Sequence, residues 1–140
     1  MSAAIESADR NKALVRRLVD EAQSGGNLAL VDELLAEDFI DHSPFPGLPP
    51  TREGVKMLFG YLRSVFPDLQ VRIHEQIADD TKVATRKTFE GTHRGEFMGA
   101  APTGRRICFE VIDILTIRSG KISEHRVVFD ASAIQHQLTG

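Results

Sequence analysis

A single α+β domain is the fold this chain predicts, with N-terminal helices packed on a curved, mainly antiparallel sheet. Three observations lead there. Apolar residues recur at helical spacing through the first half of the 140 residues and at a spacing of two through the second. Helices that precede strands, rather than alternating with them, segregate into one helical layer on one sheet. A chain this long buries roughly two-thirds of its unfolded surface, enough for one core and one domain over 1–140.

Leu14, Val15, Leu18, Val19 and Ala22 form the first apolar stripe, with Arg16, Arg17, Asp20 and Glu21 largely off it. Ser24-Gly25-Gly26-Asn27 ends that helix and offers Asn27 as the cap of the next. Leu28, Val31, Leu34 and Leu35 make a second, shorter stripe, whose charged end runs into Glu37-Asp38-Phe39-Ile40-Asp41-His42. Residues 43–50 hold four of the six prolines, which forbids helix and predicts a loop laid over something. Thr51 then caps a third helix carrying Val55, Leu58, Phe59, Leu62, Val65 and Phe66, which Pro67-Asp68 stops.

The period changes at Leu69. Leu69, Val71, Ile73 and Ile77 sit at even spacings, which is strand behaviour. A turn at 78–81 leads into a second strand over 82–90, with Val83 and Phe89 on one face. Four glycines and a proline in 91–105 predict a turn and a mobile loop. Residues 106–117 are the most strand-like segment, Arg118-Ser119-Gly120 is a hairpin signal, and 121–129 return. Residues 131–138 suit a short terminal helix. In the 106–117 strand, Ile107, Phe109, Val111 and Leu115 alternate with Cys108, Ile112 and Ile114, so both faces are apolar. An antiparallel strand with one wet face alternates cleanly. Helices cover one side only, so the other side is expected to pack on a second subunit, in a homodimer or larger homo-oligomer.

Composition excludes several functions. Hydrophobic residues make up 41% and charged residues 26%, which is ordinary globular composition. A net charge of −3 lacks the basic surplus of a nucleic-acid binder. No stretch approaches the roughly 20 apolar residues of a membrane helix, so no membrane partner is expected. The start, MSAAIESADRNK, has no basic residue ahead of an apolar run, so no secretory signal is expected and the chain reads as cytoplasmic. The one cysteine, Cys108, cannot form an internal disulfide and reads as a small core residue. No phosphate loop, dinucleotide glycine pattern, CxxC pair or HExxH occurs, and no histidine pair has helical ligand spacing. Neither a cofactor nor a metal is expected.

Among residues that could do chemistry, Asp113 stands on the same face as Phe109, Val111 and Leu115. Burial there raises a carboxyl pKa and favours the neutral acid, which can donate to an enolate oxygen. A structural salt bridge, with Arg86 on a neighbouring strand as partner, is the other reading. Asp130 follows Val127-Val128-Phe129 and precedes the terminal helix, so its spacing alone favours an N-cap. His42 lies beside the Pro-rich loop, as a pocket lid or a partner of Asp38 or Asp41. His93 lies in a Gly91–Gly95 turn, where exposed histidine is common.

Phe66-Pro67-Asp68-Leu69, Gly91-Thr92-His93-Arg94-Gly95-Glu96-Phe97 and Pro102-Thr103-Gly104-Arg105 resemble the SnoaL-like polyketide cyclase family. So do Asp38-Phe39-Ile40-Asp41-His42 and the stretch from Ile112-Asp113-Ile114 through Gly120-Lys121-Ile122-Ser123-Glu124-His125 to Asp130. The resemblance implies the cone-shaped α+β barrel named after nuclear transport factor 2, enclosing a cavity, usually in a homodimer. It also implies a cofactor-free enzyme that closes a ring by intramolecular aldol condensation on an apolar, carbonyl-containing small molecule. The family's acid/base is an aspartate five residues after the His of a Glu-His-Trp motif, which is Asp130 counted from His125. Asp130 thereby becomes the leading catalytic candidate, with partial desolvation expected from the apolar residues before it. Asp113 and His42 join it, and His93, His125, Arg86, Phe59 and Phe97 are the expected substrate-binding set. Arg126 stands where the family has Trp, and the chain has no Trp at all.

Ketosteroid isomerase is similar at fold level and would place its protonated oxyanion-hole aspartate at Asp113. Its base position falls near His42, and the only tyrosine, Tyr61, is on the third helix. An epoxide hydrolase of this fold uses an Asp-Arg-Asp set that Asp113, Arg86 and Asp130 could imitate. The alternative outside enzymes is a binding module without chemistry. Pocket polarity separates them: convergent ionisable groups favour an enzyme, and an all-apolar lining favours a carrier.

Overall fold

The computed structural model describes residues 3–140, with side chains from residue 6 onward. Residues 1 and 2, on which part of the N-terminal signal reading rests, lie outside the described residues. Helix α1 (Ala3–Arg17) runs into a wider, π-type turn over Leu18–Gln23. Then come α2 (Ala29–Leu34), β1 (Leu35–Asp41), α3 (Arg52–Val65), β2 (Gln70–Ala78), β3 (Lys82–Thr92), β4 (Arg106–Arg118), β5 (Lys121–Phe129) and α4 (Ala131–Thr139). The five strands form one sheet in the order β1-β5-β4-β3-β2. Only the β1–β5 pair is parallel. The helices-then-sheet order is as predicted, and the fold is α+β.

Local chemistry explains most boundaries. Thr51 caps α3 as expected, its hydroxyl accepting from the Gly54 N–H at 3.4 Å. Asn27 does not cap α2; Leu28 holds that position and no side chain caps the helix. The β4–β5 turn places Ser119 at φ 52° and Gly120 at φ 75°, the paired left-handed conformation that matches strand twist in a two-residue hairpin. Gln137 of α4 donates to the Cys108 carbonyl and accepts from its N–H, at 2.7 and 2.9 Å. Register pairing with β5 begins at Val111, so this side chain satisfies β4 backbone that has β3 on one edge but no β5 on the other.

Two strand details depart from the sequence pattern. Residues 37–41, expected as the charged end of a helix, are strand, with Leu35 opposite Ile122 and Asp41 opposite His125. A register shift between Leu35 and Ile40 breaks the alternation that would have marked a strand. In β2 a bulge between Ile73 and Glu75 flips the parity, so Val71 is buried while Ile77 is 69% exposed.

The concave face of the sheet carries Val83, Phe89, Ile107, Val111, Leu115 and Ile122, closed over by Val15, Val19, Val31, Leu62, Val65 and Phe66 from the helices. This is the main core. The convex face of β4 is apolar as well, with Ile112 and Ile114 exposed beside Val128 of β5. Cys108 is also exposed, not a core residue, because it shares that outward parity. Among the described residues no helix is long and apolar enough to cross a membrane.

Candidate functional site

The helices do not fill the concave side completely. A cavity of about 170 Å³ remains between the sheet, α3 and the π-type turn, walled by Phe39, Phe59, Phe89, Phe97, Phe109 and Leu62, among others. Phe45 of the 43–50 loop, Tyr61 of α3 and Phe97 of the 94–105 loop meet beside it, with ring centroids 5.7 to 6.4 Å apart. The Pro-rich loop is therefore laid over a pocket, as its composition predicted. Phe59 and Phe97 line the cavity as expected.

One connected set of polar groups crosses this apolar space. Asp41, at the end of β1, holds His125 of β5 through Nδ1 at 3.0 Å. The other ring nitrogen, His125 Nε2, lies 3.8 Å from Asp113 Oδ2 on β4. The same oxygen accepts from Lys87 Nζ of β3 at 2.9 Å. Lys87 Nζ also donates to Gln23 Oε1 at 3.0 Å. Strand parity positions the set: Lys87 shares the inward face of Val83 and Phe89, and Asp113 that of Val111 and Leu115. The π-type turn brings Gln23 to the same place. Its i→i+5 bond from Ser24 N–H to the Val19 carbonyl, 2.8 Å, widens the helix so that Leu18, Val19, Ala22 and Gln23 all point inward.

The charges in this set hold one another. Burial alone would push the Asp113 carboxyl up, but the Lys87 ammonium and His125 outweigh it and hold it below the ordinary carboxylate value. For His125 burial pushes the imidazole down, and Asp113 and Asp41 outweigh that and hold it above its ordinary value. Asp113 is thus an ionised carboxylate, not the neutral acid of the isomerase reading. The salt bridge weighed as its alternative exists, but its cation is Lys87. Asp113 Oδ1 has no hydrogen-bond partner among the described residues.

The other sequence candidates fall elsewhere. Arg86 lies on the convex face of the sheet, paired with Glu75 and Glu110 at 2.7 and 3.0 Å, because its parity on β3 is opposite to that of Lys87. It does not line the cavity. His42 is exposed and bonds Glu124 at 2.7 Å. His93, expected as an exposed turn residue, is wholly buried. Its Nδ1 accepts from the Thr103 N–H at 3.2 Å, and its Nε2 is unpaired among the described residues. It pins the base of the 94–105 loop and is not a cavity wall residue. Asp130 is exposed and caps α4, its Oδ1 accepting from the Ala133 N–H at 3.1 Å. The desolvation expected for it is absent from the single chain, because Val128 and Phe129 before it are themselves exposed. Phe129, one residue away, reaches the cavity wall.

Of the eight candidates, the cavity therefore gathers four: Asp113, His125, Phe59 and Phe97. Sequence reasoning missed Lys87 and Gln23, and it weighed Asp41 as a partner of His42 and not of His125. Among the described residues no group of three or more His, Cys, Asp and Glu could hold a metal ion. The signal for Lys87 was its parity with Val83 and Phe89, which a charged residue in a strand tends to hide.

A cavity closed by N-terminal helices over a curved sheet, apolar except for one set of paired charges, lies within a fold of the nuclear transport factor 2 kind. The chain belongs to the SnoaL-like polyketide cyclase family, whose model it matches over residues 13–138. It is 27% identical over 111 residues to the nogalonic acid methyl ester cyclase of Streptomyces nogalater, covering 77% of this chain and 82% of that one. IdmH of Streptomyces antibioticus, described as a candidate polyketide cyclase, superposes with a TM-score of 0.79 at 30% identity, over 92% of this chain and 98% of that one. A SnoaL-like cyclase candidate from Jannaschia sp. CCS1 superposes at 0.86 over 100% and 96% of the two chains; its 20% identity speaks for the fold alone.

Proposed function

We propose that this chain is a cofactor-free acid/base enzyme of the polyketide cyclase type, acting on an apolar, carbonyl-containing molecule held in the cavity. The observation that carries the reading is the buried set Asp41–His125–Asp113–Lys87 in an otherwise apolar pocket. A carrier of apolar ligands gains nothing from two carboxylates, a lysine and a histidine in its pocket wall, whose desolvation cost pairing only offsets. His125 is the proton carrier in this reading. Asp41 fixes its Nδ1, and its Nε2 is 3.8 Å from Asp113, beyond hydrogen-bond length and open to a ligand.

The steps balance on one residue. Neutral His125 Nε2 removes a proton from the carbon beside a carbonyl, and the C–H electron pair becomes the enolate. The imidazolium so formed is stabilised by Asp41 and Asp113. The enolate carbon attacks a second carbonyl of the same molecule, forming the C–C bond and an alkoxide. His125 returns the proton to that alkoxide. Asp130, the residue the family resemblance favours, is a second reading, supported by its place next to the cavity residue Phe129.

The test follows cyclisation of nogalonic acid methyl ester, the compound named for the Streptomyces nogalater relative, together with deuterium exchange beside the carbonyls of small apolar 1,3-diketones. Loss of a general acid/base removes roughly 10²- to 10⁴-fold in rate, and His125→Gln should show that loss while keeping its fold. Full activity in His125→Gln beside an inactive, folded Asp130→Asn would give the role to Asp130. Binding of these compounds with neither cyclisation nor exchange leaves only a binding module. We also propose that a second copy of this chain covers Ile112, Ile114 and Val128 on the convex face, which their exposure in the single chain supports.

A further inference from the structure

Lys87 is the least expected member of the polar set. A buried lysine–aspartate pair is no more stable than a well-packed apolar pair of similar volume, so stability alone does not explain its place. Its ammonium has three N–H groups. Asp113 Oδ2 takes one at 2.9 Å and Gln23 Oε1 a second at 3.0 Å. The third has no acceptor among the described residues, although Lys87 is part of the cavity wall and its Nζ stands 5.4 Å from the centroid of the Phe89 ring. On the other side of the same Asp113 oxygen, His125 Nε2 is 3.8 Å away, with its hydrogen-bonding capacity also unspent. Lys87 Nζ and His125 Nε2 therefore flank one carboxylate oxygen, Nζ with one N–H to spare and Nε2 able to donate once it has taken up the substrate proton.

We infer that Lys87 Nζ and His125 Nε2 form an oxyanion site on the cavity floor, whose ligand is the single charged oxygen of an enolate or phenolate on an otherwise apolar molecule. A carboxylate or phosphate does not suit it. Such groups bring two or more charged oxygens, and Asp113 stands beside the donors to repel the second. In a water-poor pocket, donors fixed in advance at a developing oxyanion are worth far more than the same donors in water. Lys87 touches the reacting oxygen here, and Gln23 is a positioning residue that aims Nζ. The inference rests on the acid/base reading for the enolate, and it extends that reading by naming the substrate as an enolisable carbonyl compound whose oxygen lies at Lys87.

The experiment uses 4-nitrophenol, an enolate mimic whose phenolate absorbs in the visible, at a pH where the free phenol is mostly protonated. A hydrogen bond to a charged group contributes about 1.5–3 kcal/mol, so the wild-type chain should raise the phenolate-to-phenol ratio of the bound dye at least about tenfold. Asp113→Asn should retain that spectrum, and Lys87→Met and the double variant Asp113→Asn/Lys87→Met should lose it. The comparison of Asp113→Asn with the double variant holds even where Lys87→Met alone fails to fold, because neither leaves an unpaired buried carboxylate at 113. A neutral-phenol spectrum in the wild type, absence of binding at millimolar dye, or phenolate retained by the double variant would overturn the site. Phenolate binding that needs Lys87, beside unchanged turnover in His125→Gln, keeps the site and removes the acid/base reading instead.

Discussion

Lys87→Met is the perturbation with the most definite energetic consequence. It keeps a chain of similar length but deletes the ammonium from a pair whose side chains are only 6% and 4% exposed, joined at 2.9 Å. Asp113 is then a buried carboxylate whose nearest remaining cation is His125 at 3.8 Å, and whose Oδ1 was already unpaired. Breaking one side of a buried ion pair costs about 3–5 kcal/mol. At about 2–4 °C per kcal/mol for a chain near this size, the thermal midpoint should drop by on the order of 10 °C. Asp113 can relieve part of the loss by taking up a proton, so the deficit should shrink as the pH is lowered. Asp113→Asn/Lys87→Met should recover most of it, because no unpaired charge is left inside. Thermal and urea unfolding of the three proteins at neutral pH measure this. A Lys87→Met midpoint indistinguishable from wild type, or a double variant less stable than the single one, would refute the reasoning.

Further outcomes follow from the same geometry. His125 has a raised folded pKa, so its stabilising contribution is full below its ordinary value near 6.5 and is lost as pH rises through the folded value. The Asp113 contribution has the opposite sense, present above the ordinary carboxylate value and lost as pH falls through its depressed one. Urea unfolding from about pH 5 to 8 should therefore show wild type losing stability relative to His125→Gln as pH rises; parallel curves would contradict this. Gly54→Ala places a Cβ 1.9 Å from the Pro49 carbonyl oxygen and should destabilise by at least about 1–3 kcal/mol, read by thermal melting. Sedimentation at micromolar concentration should give a dimer that Ile114→Lys dissociates, and a wild-type monomer would exclude the second subunit.

How far the residues disclosed this molecule depends on the kind of signal each element carried. Helix α3, with its Thr51 cap and its stripe from Val55 to Val65, is dictated locally, and so are β3, β4 and the Ser119-Gly120 turn. Strand β1 was not legible because its ladder is parallel, bulged and made with β5, more than 80 residues away in sequence, while its own residues 37 and 38 are acidic. The π-type turn was equally hidden, since Leu18, Val19 and Ala22 fit an ordinary helix and only Gln23 does not. At the site, Asp113 was found through its parity among apolar neighbours. Lys87 carried the same parity and was passed over because a charge in a strand usually marks the solvent face. Its inward position makes sense only once Asp113 is known to lie diagonally across the β3–β4 register, with Thr85 opposite Asp113 and Lys87 opposite Val111. Asp130 shows the reverse case. Its spacing described the cap that the structure contains, and the family resemblance alone supplied the catalytic role.

The central claim, that His125 carries the proton, is tested most directly by the pH dependence of kcat/KM for cyclisation or exchange. A histidine base held above its ordinary value by Asp113 and Asp41 predicts an acid limb with an apparent pKa above about 6.5, with activity rising as pH climbs through it. His125→Gln should lose that limb along with roughly 10²- to 10⁴-fold in rate, and Asp130→Asn should keep both. An acid limb near the ordinary carboxylate value of about 4 that disappears in Asp130→Asn and persists in His125→Gln would contradict the account.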